Sequence, residues 1–406
     1  MTTTYYDEQK RGASSPVLNL LLRLLSSNWT WGHLTICLPD GTVHQLEGRV
    51  EGHAAVLRIR DARFARRVLK SGDIGFAEGY MEGEWDSPNL PVLLETLVNN
   101  YDHIRRLFDG NVLMKAFNWL GHRFNRNSRS GSRRNIHAHY DLGNEFYSAW
   151  LDSSMTYSSA RYSREGLSLQ DAQKEKYASL ARVMDLNAGQ TVLEIGCGWG
   201  GFAEYAAREV GAKVTGITIS QEQYDFARRR IFEAGLSERA DIQLIDYRDV
   251  DGRFDRVASI EMFEAVGREY WPVYFQKIHQ VLKPEGRAGL QIITIQDDLF
   301  EDYQARTDFI QKYVFPGGTL PSEHVLERVI QQSGFHQDEV LRFGRDYADT
   351  LAEWSKRFES SWRMIEASNP KFDQRFRRLW LFYLAYCEAG FRSARTDLIQ
   401  IGLGAR

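Results

Sequence analysis

The sequence predicts an α/β protein, a doubly wound Rossmann-like domain preceded by a smaller α+β domain. Three observations carry that expectation. An apolar run, Thr191 to Ile195, feeds directly into glycines at 196, 198, 200 and 201. Strand-like and helix-like segments then alternate as far as Ile295, the pattern of a parallel sheet that gathers ligands at its carboxyl edge. Finally, 406 residues exceed one typical domain, and the composition breaks sharply between Asn111 and Tyr140.

The first unit is expected over 1–111. Residues 30–38 and 55–60 read as strands, with Asp40-Gly41 supplying a tight turn. From Asp61 to Ser71 the spacing becomes helical, with Phe64, Val68 and Leu69 on one side. A further helix is expected from Leu90 to Phe108. The leucine-rich stretch 17–25 suits either an interfacial helix or a core helix, and Arg23 interrupts it well short of the ~20 apolar residues a bilayer span needs.

Between Asn111 and Tyr140 there is no acid, while Lys115, Arg123, Arg126, Arg129, Arg133 and Arg134 all fall there. The centre of this window is Gly, Ser, Asn and Arg without apolar periodicity, so 112–136 reads as a basic linker. The second domain is expected over 137–406. Its strands are predicted at 191–195, 213–217, 242–245, 254–260 and 287–295, with a helix from Phe202 and another over 221–234. Leu282 to Gly286 reads as a turn, and the chain beyond Tyr347 as helical and aromatic.

Composition narrows the function classes. A formal charge of −3 offers no basic field for nucleic acid, and 43% hydrophobic residues are ordinary for a chain with a sizeable core. Cys37, Cys197 and Cys387 are scattered, without the spacing of a zinc site or a disulfide framework. That pattern, and a polar N-terminus without a signal sequence, predict a reducing, cytoplasmic setting.

The densest signal is Val-Leu-Glu-Ile-Gly-Cys-Gly-Trp-Gly-Gly (192–201), a strand entering a glycine loop whose bare backbone admits a ligand. Gly196, Gly198 and Gly201 fit the dinucleotide fingerprint, which alone is weak. Two details favour S-adenosylmethionine over a nicotinamide cofactor. Glu194 lies inside the strand, two residues before the first glycine, within reach of an ammonium group. The second strand ends in Gly-Ile-Thr-Ile-Ser (216–220), without the acid that holds a dehydrogenase ribose.

These residues, with Thr-Ile-Ser-Gln-Glu-Gln (218–223), Asp-Tyr-Arg-Asp (246–249) and Met-Phe-Glu-Ala-Val-Gly (262–267), resemble the cyclopropane-fatty-acyl-phospholipid synthase family. His-Tyr-Asp-Leu-Gly-Asn (139–144), Met-Thr-Tyr-Ser-Ser-Ala (155–160), Tyr-Val-Phe-Pro-Gly-Gly (313–318) and Phe-Gly-Arg-Asp-Tyr (343–347) extend the resemblance through the second domain. Ser71 to Gly83 carries it more loosely into the first. The resemblance implies a class I methyltransferase domain using S-adenosylmethionine. Its cofactor contacts fall on Tyr157, Ser158, Glu194, Gly196, Cys197, Gly198, Gly200, Thr218, Gln223, Tyr247 and Arg248, and it implies no metal.

The implied reaction is methylene addition to the double bond of an unsaturated phospholipid acyl chain, closing a cyclopropane ring. An isolated alkene is a poor nucleophile, so it must be aligned against the sulfonium methyl in a water-poor pocket. Aromatic faces would steady the resulting cation, and Tyr140, Phe146, Tyr147, Tyr157, Phe263, Tyr313, Phe315 and Tyr347 all lie in matching motifs. In the family a bound bicarbonate takes the proton. Its holders map onto Ser159, Glu264, Gln291, the Ile293 backbone and Tyr347. Three departures bear on the outcome: Ser159 stands where most members carry Cys, and Gln291 and Ala265 stand where they carry His. Gln291 cannot relay a proton, so a methyl-branched or exomethylene product stays open beside the ring. Cys387 matches a cysteine marked as catalytic in the family, yet the chemistry needs no thiolate and its neighbours suit packing. The resemblance further implies a homodimer on the inner face of the cell membrane, where the basic linker would meet anionic lipid.

Overall fold

The computed structural model describes residues 16–104 and 142–405, which form two compact units. The basic 112–136 segment, Tyr140 and the end of the expected 90–108 helix lie outside them.

In the first unit, β1 (Trp31–Cys37), β2 (Val43–Glu47), β3 (Val50–Ile59) and β4 (Trp85–Asp86) form a sheet in the order β2-β1-β3-β4, with β1 and β3 parallel. Helix α1 (Pro16–Asn28) buries Leu18, Leu21, Leu22 and Leu25 on one face. The leucine-rich stretch is therefore a core helix of this unit. Helix α2 (Arg63–Met81) bends at Gly72, whose φ of 57° breaks helical geometry. A short helix, Tyr101–Ile104, continues the expected 90–108 segment to the edge of the described residues, but helix α3 (Leu90–Asn99) is a separate piece. The buried Asn100 ends it, its amide oxygen accepting from the Thr30 and Trp31 backbone at 2.8 and 2.9 Å.

The same unit includes Trp362–Ser393, which the sequence reading assigned to the second domain. Aromatic packing is the reason. On the helix Gln374–Arg392, Phe382 meets Phe76, Tyr80 and Trp85 at ring distances of 5.7 to 6.4 Å, and the Arg378 guanidinium lies 3.9 Å above the Tyr80 ring.

The second unit holds 142–361 and 394–405. Its strands are β5 (Thr191–Ile195), β6 (Lys213–Thr218), β7 (Ala240–Leu244), β8 (Phe254–Ile260), β9 (Leu282–Ile295), β10 (Phe335–Arg342) and β11 (Thr396–Ala405). Their order is β10-β11-β9-β8-β5-β6-β7, with β5 to β9 parallel and β10 and β11 antiparallel. The chain winds from β5 outward to β7, then returns to β8 on the other side. Ligands in such sheets gather beyond the carboxyl ends at that reversal, here beyond β5 and β8. The expected turn at 282–286 is a break inside β9, where the register against β8 slips and Glu285 takes φ 62°.

Helix α4 (Leu169–Val183) starts at Ser168, whose side chain accepts from the Asp171 amide. Its buried face, Leu169, Ala172, Gln173, Lys176, Tyr177, Leu180 and Val183, packs on β9 and β11. Among the described residues no helix is long and apolar enough to cross a membrane.

Candidate functional site

The glycine loop follows directly from β5. Gly196, Gly198 and Gly200 hold φ of 79°, 52° and 82°, backbone that side chains disfavour. A Cβ on Gly201 would fall 2.3 Å from the Tyr177 hydroxyl, and one on Gly196 2.8 Å from Met262, so these two are needed for close packing. A Cβ on Gly198 would meet no protein atom within 4 Å, so there the backbone faces open space. Glu194 is buried, and its Oε2 has no hydrogen-bond partner among the described residues. Burial pushes its carboxyl well up, against the pull of the Lys176 charge, the Ala203 amide and Arg230. An orphaned carboxylate oxygen beside a bare backbone cradle fits an ammonium-bearing cofactor of the expected kind.

Of the other expected cofactor residues, Thr218 ends β6, and Tyr247 and Arg248 follow β7. Thr218 Oγ1 donates to Gln223 Oε1 at 2.8 Å, joining the end of β6 to the helix Gln221–Glu233. Tyr247 is buried edge-on against Tyr274. The Arg248 guanidinium is committed to Asp246, with Nε and Nη2 at 2.8 and 2.7 Å from its two oxygens. Cys197 is buried and its thiol pushed well up by burial, so it is packing beneath Gly216 and no nucleophile.

Tyr157 anchors an aromatic wall. Its ring lies 5.3 to 5.5 Å from those of Tyr147, Trp150 and Trp354, and stacks on Phe315 at 6.5 Å. Trp199 of the glycine loop joins through Tyr147, and Tyr347 through Trp354. Faces of this kind attract cations at up to about 2 kcal/mol each when desolvated.

Beyond β8 and β9 the structure brings together Ser159, Gln291 and Tyr347, and it supplies their anion. The Glu261 Oε1 accepts from the Ser159 amide at 2.8 Å and from Gln291 Nε2 at 2.7 Å, and its Oε2 from the Tyr347 hydroxyl at 2.6 Å. Sequence reasoning passed over Glu261. It sits one residue before the Met262–Gly267 motif and takes φ 48°, a left-handed conformation that a side chain occupies only at a cost of about 1–3 kcal/mol. A buried relay supports it from behind: Gln400 Nε2 donates to Gln291 Oε1 at 2.9 Å, while Ser179 donates to Gln400 Oε1 at 2.6 Å. Ser159 Oγ turns away to the Ala160 carbonyl, so its backbone is what reaches the site.

Glu264 stands apart from that cluster. Its Oε1 accepts from the Ile293 amide at 2.6 Å, and its Oε2 has no partner among the described residues. Burial, then the neighbouring Glu261 charge, lift its carboxyl to about 8. The Glu264 carbonyl accepts from the Thr319 amide, tying in the 313–318 loop. Glu261 is also raised by burial, its four partners pulling the other way: Tyr347, the Lys176 charge, the Ser159 amide and Gln291. Cys387 is a half-buried thiol on the helix Gln374–Arg392 of the first unit.

Lys176 is the remaining anomaly of the second unit, a fully buried lysine on the apolar face of α4. Removing an ammonium from water costs several kcal/mol, more than the roughly 2–3 kcal/mol that its apolar stem regains on burial. Packing alone does not account for it.

Comparison with known proteins agrees with the fold. The profile of the mycolic acid cyclopropane synthetase family matches residues 127–401. The chain is 38% identical to a tuberculostearic acid methyltransferase of Mycobacterium tuberculosis, over 96% of this chain and 91% of that protein. It is 34% identical to the cyclopropane-fatty-acyl-phospholipid synthase of Escherichia coli K12, over 90% and 94%. Among solved structures, a mycolic acid cyclopropane synthase complexed with SAH and CTAB superposes with a TM-score of 0.63 at 28% identity, covering 67% of this chain and 98% of that one.

Proposed function

The chain belongs to the mycolic acid cyclopropane synthetase family of S-adenosylmethionine-dependent lipid methyltransferases, and from that membership we propose that it methylates the double bond of an unsaturated phospholipid acyl chain and releases an open, methylene-branched product. The observation that carries the open-chain reading is Glu261, whose carboxylate already engages three of the five groups expected to hold a bicarbonate.

S-adenosylmethionine supplies an electrophilic methyl group on sulfur. Glu194 would hold its ammonium, Thr218 with Gln223 its ribose, and the glycine loop its backbone-facing edge. The aromatic wall around Tyr157 then does two jobs, excluding water and steadying the positive charge that methyl addition leaves on the neighbouring carbon of the acyl chain. The fate of that cation depends on the base. Both oxygens of Glu261 carry hydrogen bonds, three in all, so it is held in place and must give one up before it takes a proton, which makes it a slow base. A 1,2-hydride shift has time to move the charge onto the methylated carbon. Glu261 then takes a proton from the added methyl, and the C–H pair becomes the exomethylene double bond. Gln291 cannot carry the proton onward, so it leaves from Glu261 itself.

Ring closure is the second reading. It requires the same proton to leave before the hydride moves, and the likeness to the Escherichia coli synthase favours it. Lipid extracts from an expressing host decide between them: NMR that finds cyclopropane protons and no vinylidene protons would defeat the open-chain reading.

The substrate chain sits in a bilayer, so the reading includes docking on the cytoplasmic membrane face through the basic 112–136 segment, by an enzyme acting as a homodimer. Co-sedimentation with vesicles that ignores salt and anionic lipid content would remove the docking element, and a monomer by light scattering would remove the dimer.

A further inference from the structure

Lys176 links the two halves of the site. Its Nζ donates to Ser158 Oγ at 2.6 Å and lies 4.5 Å from the centroid of the Tyr177 ring. One turn earlier on α4, Gln173 Nε2 holds the Ser158 carbonyl at 2.9 Å. The next residue in the chain is Ser159, whose amide addresses Glu261. On its other side the Lys176 carbonyl accepts from Gln400 Nε2, the amide that also holds Gln291 against Glu261. Two of the three hydrogen bonds to Glu261, those from Ser159 and Gln291, therefore run back to this one residue.

Its charge is placed as tellingly as its hydrogen bonds. The carboxylates acting on the ammonium are Glu261, Asp152 and Glu194. For Glu194 the Lys176 charge is the foremost influence opposing burial, with Arg230 beyond it. Glu261 also faces the Tyr347 hydroxyl, and its charge raises Glu264. Burial in turn pulls Lys176 down to about 7. A carboxyl in such a place stays neutral unless a cation is near, and a neutral Glu261 cannot accept a proton.

We infer that Lys176 is a positioning residue for the reaction, its buried ammonium keeping Glu194 and Glu261 ionised while its hydrogen bond fixes the Ser158-Ser159 backbone against Glu261. This rests on Glu261 being the base. It adds that cofactor binding and proton removal share one buried charge, so removing that charge should move the acid limb of both together.

The test uses the full chain, unsaturated phosphatidylglycerol vesicles and labelled S-adenosylmethionine, with variants Lys176→Met, Lys176→Gln and Glu261→Gln. Without the ammonium, Glu261 keeps only its hydrogen bonds from Tyr347, the Ser159 amide and Gln291 to oppose burial, so it should ionise at a higher pH. Lys176→Met should lose at least about tenfold in kcat at pH 6.5 and recover most of it by pH 9, with cofactor affinity following the same trend. Lys176→Gln keeps a donor for Ser158 without charge and should show the same displaced acid limb. A uniform loss at every pH, or parent-like behaviour in Lys176→Gln, overturns the charge role. Should neither variant fold, NMR titration of the Lys176 Nζ in the parent and in Glu261→Gln decides. The lysine should titrate roughly one pH unit lower once the Glu261 charge is gone, and an unmoved titration overturns the inference. Full activity in Glu261→Gln would instead defeat the base reading itself, a result separate from an unshifted Lys176 profile.

Discussion

The hydroxyl of Tyr347 donates to Glu261 Oε2 at 2.6 Å, joining the helix Gly344–Ser368 to the turn that follows β8. Family resemblance assigns Tyr347 to an exogenous anion, and here the anion is part of the chain. A tethered carboxylate needs no binding step, but it moves little and its oxygens are already engaged.

Glu194 should govern cofactor affinity and little else. Glu194→Gln preserves shape and removes the charge that its orphaned Oε2 would bring to an ammonium. S-adenosylmethionine binding, measured by calorimetry, should weaken by about 2–3 kcal/mol, roughly 30- to 150-fold. An unchanged Kd would mean that the ammonium is held elsewhere.

Cys387 should be dispensable. It lies in the first unit, on a helix whose Phe382, Tyr383 and Leu384 are buried, whereas the reacting groups belong to the second. Cys387→Ala should leave kcat within about twofold and cost roughly 1 kcal/mol of stability through lost packing. A hundredfold drop in kcat with normal folding would restore the thiol to the mechanism.

Much of this was readable in advance, for physical reasons that also explain the gaps. The glycine loop and the strands through β9 follow from apolar runs and turn residues, which are local signals, whereas Thr218 and Gln223 were singled out only by the family resemblance. The closing strands were not legible. β10 reads Phe-His-Gln-Asp-Glu-Val-Leu-Arg, and its charged residues suit a half-exposed edge but resemble a loop. Gln400 on β11 looked unremarkable because its partners, Ser179 and Gln291, are more than a hundred residues away. Glu261 was missed for a related reason. Nothing in a sequence marks a positive φ on a glutamate, and the carboxylate acquires its role only where three distant segments converge. Lys176 had a faint signal, a lysine in phase with Leu169, Ala172 and Leu180 on an otherwise apolar helix face.

Glu264 should trade stability for function. Its carboxyl titrates at about 8 in the folded chain against an ordinary 4.5. Between those values the folded protein keeps a proton that the unfolded chain releases, so stability falls as pH rises from 4.5 to 8. Glu264→Gln lacks this titration. Its stability advantage should be absent near pH 4.5, grow through that window and level off above 8. Since the residue keeps partial exposure to solvent, the plateau should be only about 2 kcal/mol. Cofactor binding should survive while turnover falls. Denaturant unfolding at pH 5 and pH 9 checks the sign, and an equal difference at both would refute the assignment.

The sharpest prediction concerns Glu261→Gly. The backbone there holds φ 48°, which glycine adopts without strain, so removing the side chain should cost the fold little. It leaves the Ser159 amide, Gln291 Nε2 and the Tyr347 hydroxyl converging on one point with no carboxylate between them. Three donors around a small space suit bicarbonate, whose size and charge match the lost group. The variant should be nearly inactive in carbonate-free buffer and regain activity as bicarbonate is added, while the parent remains indifferent to it. A free anion can approach the added methyl before the hydride moves, so the rescued reaction should also yield a larger share of ring. Glu261→Gln, which fills the space without a charge, should resist rescue. If bicarbonate rescued both variants alike, or neither, the carboxylate could not be standing in for that anion.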